Sequence, residues 1–137
     1  MEAHVTELRA ISPPESTHAL DLVGLRSDAV RCWVARGRDG EGLGCAALKA
    51  LDTLHAELKS MRTAPDRTRQ GIATGLLLHV LDGAREAGFL RISLETGAQE
   101  FFAPARAFYA RHGFVPCEPF GGYRTDPLSA FLTRSLR

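Results

Sequence analysis

The stretch RTRQGIATGLL, residues 67 to 77, sets two arginines and a glutamine ahead of a glycine and then enters an apolar helical pattern. The first N–H groups of a helix lack acceptors within it and point outward. The aligned peptide dipoles add partial positive charge at the same place. Glycine lets a bulky anion approach the backbone, and neighbouring arginines add charge-assisted hydrogen bonds. Arg69, Gln70, Gly71, Ile72, Ala73 and Thr74 therefore compose a candidate seat for phosphate or pyrophosphate. The competing reading is an ordinary loop-to-helix junction with solvated arginines. A Walker A loop would need Gly-Lys-Ser/Thr where Gly-Ile-Ala stands. A dinucleotide fingerprint needs three glycines, and only Gly71 and Gly75 are present.

The chain around this junction has 137 residues, a length that points to one domain, 1–137, with a single core. Hydrophobic residues make up 45% and charged residues 24%, the balance of a globular protein. Seventeen Lys and Arg oppose 16 Asp and Glu, so no broad basic face for nucleic acid is expected and anion chemistry must be local. No apolar run approaches the roughly 20 residues of a membrane span, so no membrane partner is expected. The N-terminal MEAHVTELRA carries acids and no apolar h-region, which argues against a secretory signal and for a cytoplasmic protein. Cys32, Cys45 and Cys117 are scattered and form no CxxC pair; buried reduced thiols are expected, with neither a metal site nor a disulfide framework.

The elements that must position the junction follow from periodicity. Residues 3 to 10 suit a short helix, and Ser12, Pro13 and Glu15 fit the start of another over about 13 to 25. AVRCWVAR (29–36) alternates at strand period, GRDGEG (37–42) is turn chemistry, and LGCAALKAL (43–51) is the returning strand. HAELKSMRT (55–63) is a third antiparallel strand, with Ala56, Leu58 and Ser60 on one face and Glu57, Lys59 and Met61 on the other. The helix after Gly71 carries Ile72, Leu76, Val80 and Ala84 on one stripe and ends at Gly88. FLRISLET (89–96) is a short strand between helices, which suggests a partly parallel sheet. Pro104 opens the next helix and Gly113 closes it; 114–120 and 128–136 read as a last strand pair joined by GGYRTDP. The fold class is mixed α/β, with a central sheet covered on both sides.

From SMRTAPDRTRQGIATGLLLHVLDGAREAGFLRISLET through ARAFYARHGF, the chain resembles the GNAT superfamily of acyl-CoA N-acyltransferases, over about residues 12 to 137. The wording SPPES, SMRT, SLETG and FFAPAR is similar to a bacterial branch of small acetyltransferases. The family loop reads Arg/Gln-x-x-Gly-x-Gly/Ala and cradles the coenzyme A pyrophosphate. Gly71 and Ala73 match its last positions, and Thr68 departs from the first, with Arg67 or Arg69 able to supply the charge. Ala105, Tyr109, Gly113 and Phe114 match the second signature, whereas Phe102 stands at a frequent asparagine position. The family's sheet is mixed, mostly antiparallel and flanked by helices. Its first strand is expected to be missing here, because residues 1 to 10 read as helix; the edge so exposed predicts a homodimer, paired through 114 to 136.

The resemblance implies an acetyl-CoA-dependent N-acetyltransferase in which the amine of a small molecule or peptide attacks the thioester directly. Acetyl-CoA is the acyl donor and no metal is needed. Ser60, Met61, Arg62 and Thr63 would meet the pantetheine, with a backbone N–H near Met61 polarising the carbonyl. Tyr109 sits where the family places a general acid for the thiolate, and packing in the core is its alternative. Glu57 sits where several members keep a general base, with Glu95 as rival and a solvated carboxylate as the alternative. SPPESTHAL and GGYRTDP would select the acceptor. A non-catalytic acyl-CoA-binding or interaction domain is the second reading, and a P-loop-type nucleotide binder a distant third.

Overall fold

The computed structural model describes residues 4–9, 30–63 and 71–137. Among the described residues, seven strands and two α-helices follow one another in the order β1 (His4–Arg9), β2 (Val30–Arg36), β3 (Gly42–Ala50), β4 (His55–Thr63), α1 (Ile72–Glu86), β5 (Arg91–Gly97), α2 (Ala103–Arg111), β6 (Val115–Pro116) and β7 (Ser129–Ser135). A 3₁₀ turn, Glu100–Phe102, leads into α2. The sheet order is β1-β2-β3-β4-β5-β7-β6. Every pairing is antiparallel except β4 with β5. This is the mixed, mostly antiparallel sheet that the family resemblance implied.

One expectation is corrected. His4–Arg9 is a strand, not a helix, and pairs antiparallel with β2 through His4–Arg36 to Arg9–Arg31. Glu, Leu and Arg give this segment helical propensity, but the free edge of β2 offers a full ladder of hydrogen bonds, and that tertiary pairing decides the conformation. Val5 packs against the core. The first strand is therefore present, and the unpaired edge that motivated a dimer is filled. The helix expected over 13 to 25 lies outside the described residues.

Alternation across the register assigns the two faces. Trp33, Ala35, Ala46, Leu48, Ala56, Leu58, Ile92, Leu94 and Leu132 turn to the side where α1 lays Ile72, Leu76, Leu77, Val80, Leu81 and Ala84, and together they form the core. Tyr109 of α2 and Phe114 belong to the same cluster. Helix α1 ends in a Schellman arrangement, with Phe89 N–H bonded to the Ala84 carbonyl and Gly88 N–H to that of Arg85, and Gly88 takes φ of 94°. The opposite face carries His55, Glu57, Ser93, Glu95, Phe131 and Thr133. Polar groups there are satisfied laterally: His55 Nε2 lies 2.7 Å from Ser93 Oγ, which lies 2.8 Å from Thr133 Oγ1. The cysteines depart from expectation, since Cys45 is exposed and only Cys32 and Cys117 are half-buried; all three are free. Cys45 faces away from α1, opposite Val34 of β2, so the core does not reach it.

Candidate active site

The parallel pairing of β4 and β5 lasts four residues, from His55–Arg91 to Leu58–Leu94, and then stops. Each strand continues with its other neighbour. β4 stays on β3 as far as Thr63–Gly44, and β5 stays on β7 as far as Gly97–Ser129. A register shift against β3 falls at the parting point, leaving Lys59 unmatched between Leu58 and Ser60. The two strands therefore diverge into a cleft of about 580 Å³. Beyond Leu58, the backbone groups of β4 that face β5 have no strand partner and line this opening. An extended chain of amides entering there would meet a ready-made row of donors and acceptors.

The cleft has two unlike sides. From the helix side come Phe102, Ala105 and Tyr109; from the other come Lys59, Glu95 and Ser129, with Met61, Arg62 and Thr96 on the strand ends. Phe102 sits where a Cβ on Gly97 would stand, so only glycine leaves room for that ring. Arg106 fixes the approach to α2 by donating to the carbonyls of Gly97 at 2.6 Å and Gln99 at 2.9 Å. Tyr109 is 8% exposed, and its burial pushes the phenol up to about 12. It therefore keeps its proton at any ordinary pH and is a donor, not a base.

Two carboxylates stand on the sheet face away from α1, one of them on the cleft wall. Glu95 lines the cleft, and its Oε2 accepts a 2.6 Å hydrogen bond from Ser129 Oγ. Glu57 is only 3% exposed and is not among the cleft-lining residues, so it is not the solvated carboxylate of the bland reading. Its Oε2 accepts a 2.6 Å bond from the Tyr123 hydroxyl and lies 3.7 Å from Lys59 Nζ. Lys59 Nζ also donates to Tyr123 Oη at 3.4 Å and lies 5.8 Å from the centre of that ring. Burial works against the Lys59 charge, but Tyr123 and Glu57 outweigh it and raise its pKa. Burial and the bond to Glu57 raise the pKa of Tyr123. Phe120 and Phe131 pack edge-on to each other and against Tyr123, with centroids 5.2 to 5.8 Å apart.

At the candidate phosphate seat, Gly71 caps α1 at φ 75° with open space above its Cα. Among the described residues no side chain caps the helix, and its first turn holds no acid. Gly75 N–H is bonded to the Gly71 carbonyl, so the N–H groups of Ile72, Ala73 and Thr74 precede the first bond of the ladder. Ile72 itself is buried as part of the core stripe. Arg69 and Gln70 lie outside the described residues, as does the side chain of Ser60. Thr63 borders a second, shallower hollow with Val34, Cys45 and Arg62. Tyr123 and Ser129 were not singled out from sequence, although GGYRTDP was marked as an acceptor loop; a tyrosine between glycines and a proline was the signal available.

A sheet that parts between its two parallel strands, together with a helix start left open at Gly71, is an arrangement that can accept an extended, phosphate-bearing ligand. The family model for the acetyltransferase (GNAT) family matches residues 2–114, and the chain belongs to that family. It is 47% identical over 133 residues to the uncharacterized N-acetyltransferase YsnE of Bacillus subtilis, covering 97% of this chain and 87% of that one. It is 48% identical over 134 residues to the uncharacterized N-acetyltransferase YedL of Escherichia coli, covering 97% and 83%. A solved structure from Klebsiella pneumoniae, named as a candidate acyl-CoA N-acyltransferase, superposes with a TM-score of 0.83 at 26% identity and covers 98% of both chains.

Proposed function

We propose that this chain transfers the acetyl group of acetyl-CoA to a primary amine of a small molecule or peptide, by direct attack in a ternary complex. The observation that carries the reading is the cleft beyond Leu58 and Leu94, whose two sides offer opposite proton chemistry. Coenzyme A phosphates sit on the start of α1, at Gly71, Ile72, Ala73 and Thr74, with charge from Arg69 and a further contact from Gln70. The pantetheine runs along Ser60, Met61, Arg62 and Thr63, and a backbone N–H near Met61 polarises the thioester carbonyl. The amine arrives from the carboxylate side. As the carbon–nitrogen bond forms and the carbon–sulfur bond breaks, the thiolate leaves toward the helix side and takes a proton from Tyr109. The proton lost by the amine goes to Glu57. Glu95 is the second reading, favoured by its place on the cleft wall.

The proposal extends to a single domain over residues 1–137, working in the cytoplasm as a homodimer through its C-terminal strands. Exposed Val115 on the two-residue strand β6 offers apolar surface there. Thermal stabilisation by acetyl-CoA but not by ATP, followed by thiol release with a panel of primary amines, tests the reading. Stabilisation without thiol release from any amine would favour a non-catalytic acyl-CoA-binding domain instead.

A further inference from the structure

Glu57 poses a problem for its own role. A base must meet the proton it removes within hydrogen-bond reach or through one intermediary. Glu57 is buried at 3% exposure and does not line the cleft. Lys59 Nζ, whose residue lines the cleft, stands 3.7 Å from Glu57 Oε2, beyond a hydrogen bond, whereas a chain of hydrogen bonds does join them: Lys59 Nζ donates to Tyr123 Oη at 3.4 Å, and Tyr123 Oη donates to Glu57 Oε2 at 2.6 Å. An ammonium, a phenol and a carboxylate thus stand in the sequence that a proton relay requires. The Lys59 side chain is 45% exposed and can leave the phenol oxygen to another ammonium.

We infer that Tyr123 is the relay through which the acceptor amine reaches Glu57, with Lys59 marking the position that the acceptor nitrogen takes. The inference rests on the acetyltransferase reading above. The substrate ammonium gives one proton to Tyr123 Oη while the phenol's own proton passes to Glu57 Oε2. The amine becomes neutral and nucleophilic, Tyr123 ends neutral as it began, and Glu57 becomes a carboxylic acid that later returns its proton to water. The rings of Phe120 and Phe131 hold the phenol in place, so the hydroxyl can be removed without removing the wall. The ionisable groups facing this chain are Lys59 and His55 on β4, and Arg91 on β5, whose charge reaches His55 as those of Asp52 and Glu57 do. The pair Tyr123–Glu57 also ties the acceptor loop to β4, which makes the acceptor a ligand of that loop.

The test compares Tyr123→Phe, Glu57→Gln and the double variant, using thiol release from acetyl-CoA with a panel of primary amines between about pH 6 and 10. Each single change should lower kcat/KM at low pH by roughly a hundredfold or more with coenzyme affinity little changed, and each variant is assayed below its own melting temperature, because Tyr123→Phe takes a hydrogen bond from a buried carboxylate. The double variant should be no slower than the slower single, because both break one chain. Losses that multiply, or a Phe variant as fast as the parent, would overturn the relay while leaving the acetyltransferase reading intact. A parent protein that releases no thiol with any amine would overturn both. A second measurement needs no acceptor. The chain has two tyrosines, so in a Tyr109→Phe background ultraviolet titration follows Tyr123 alone. Adding Glu57→Gln should move that titration to lower pH, and an unmoved curve would remove the bond on which the relay depends.

Discussion

Leu58 and Leu94 are the last residues to face one another across the parallel strands β4 and β5. One step on, Lys59 is dropped from register with β3, while Glu95 keeps its place opposite Phe131 of β7. The cleft is therefore made by what each strand does with its outer neighbour, not by repulsion between the two. The same step places a lysine and a glutamate on the cleft wall.

The start of α1 should govern coenzyme affinity. Gly71 holds φ of 75°, which a β-branched residue adopts only with strain, and its open side is where a phosphate would approach. Gly71→Val should weaken acetyl-CoA binding in calorimetry while α1 persists by circular dichroism. Arg69→Ala should cost on the order of 1.5–3 kcal/mol, or roughly tenfold to a hundredfold in affinity, the worth of one charge-assisted contact. Unchanged affinity in both variants would sink the phosphate seat.

Tyr109 carries a prediction with a definite sign. Its phenol is raised from 10.0 to about 12 by burial. Between those values the unfolded chain has lost the proton and the folded chain keeps it, so the folded state binds more protons and stability falls as pH rises. The loss is about 1.4 kcal/mol per pH unit across that window and is absent below pH 10. Melting curves between pH 9 and 11 should therefore fall more steeply for the parent than for Tyr109→Phe. At neutral pH the same substitution should leave coenzyme affinity almost unmoved and lower turnover by roughly 10²–10⁴-fold. Normal turnover would return Tyr109 to the core as a packing residue only.

The legible parts of this fold were those in which neighbours along the chain decide the outcome. The stripe from Ile72 to Ala84, the alternation around Trp33 and the glycine stops at Gly88 and Gly113 are all local, and all are found in the structure. His4–Arg9 was misread because its conformation is set by β2, far along the chain. Glu57 was placed on the right strand, but its hydrogen-bond partner Tyr123 is 66 residues away, and nothing near Glu57 announces it. The register slip at Lys59 is likewise invisible, since it exists only relative to β3.

The single tryptophan gives a test of the core. Gly83 on α1 lies where a Cβ would come 2.6 Å from Cζ2 of Trp33, and Arg31 donates to the Gly83 carbonyl at 3.0 Å from above the same ring. Replacing a helical glycine with alanine ordinarily stabilises by about 1 kcal/mol. Here the indole must move, and overpacking costs about 1–3 kcal/mol. Packing should win, so Gly83→Ala should lower the melting temperature and shift the Trp33 emission. A stabilised protein with unchanged emission would mean that the ring yields freely.

The two carboxylates separate along the pH axis. If Glu57 collects the amine proton, Glu57→Gln should lose rate mainly at low pH, where the acceptor is an ammonium, and recover as pH rises and free amine appears. Glu95 is held by Ser129 on the cleft wall, so Glu95→Gln should then act on acceptor binding and raise KM by a similar factor at every pH. One pH–rate series for the parent and both variants decides between them, with folding checked by melting. Should the Glu95 variant carry the pH-dependent loss and the Glu57 variant the uniform one, the base is Glu95. Glu57 with Tyr123 would then serve to hold the acceptor loop on β4.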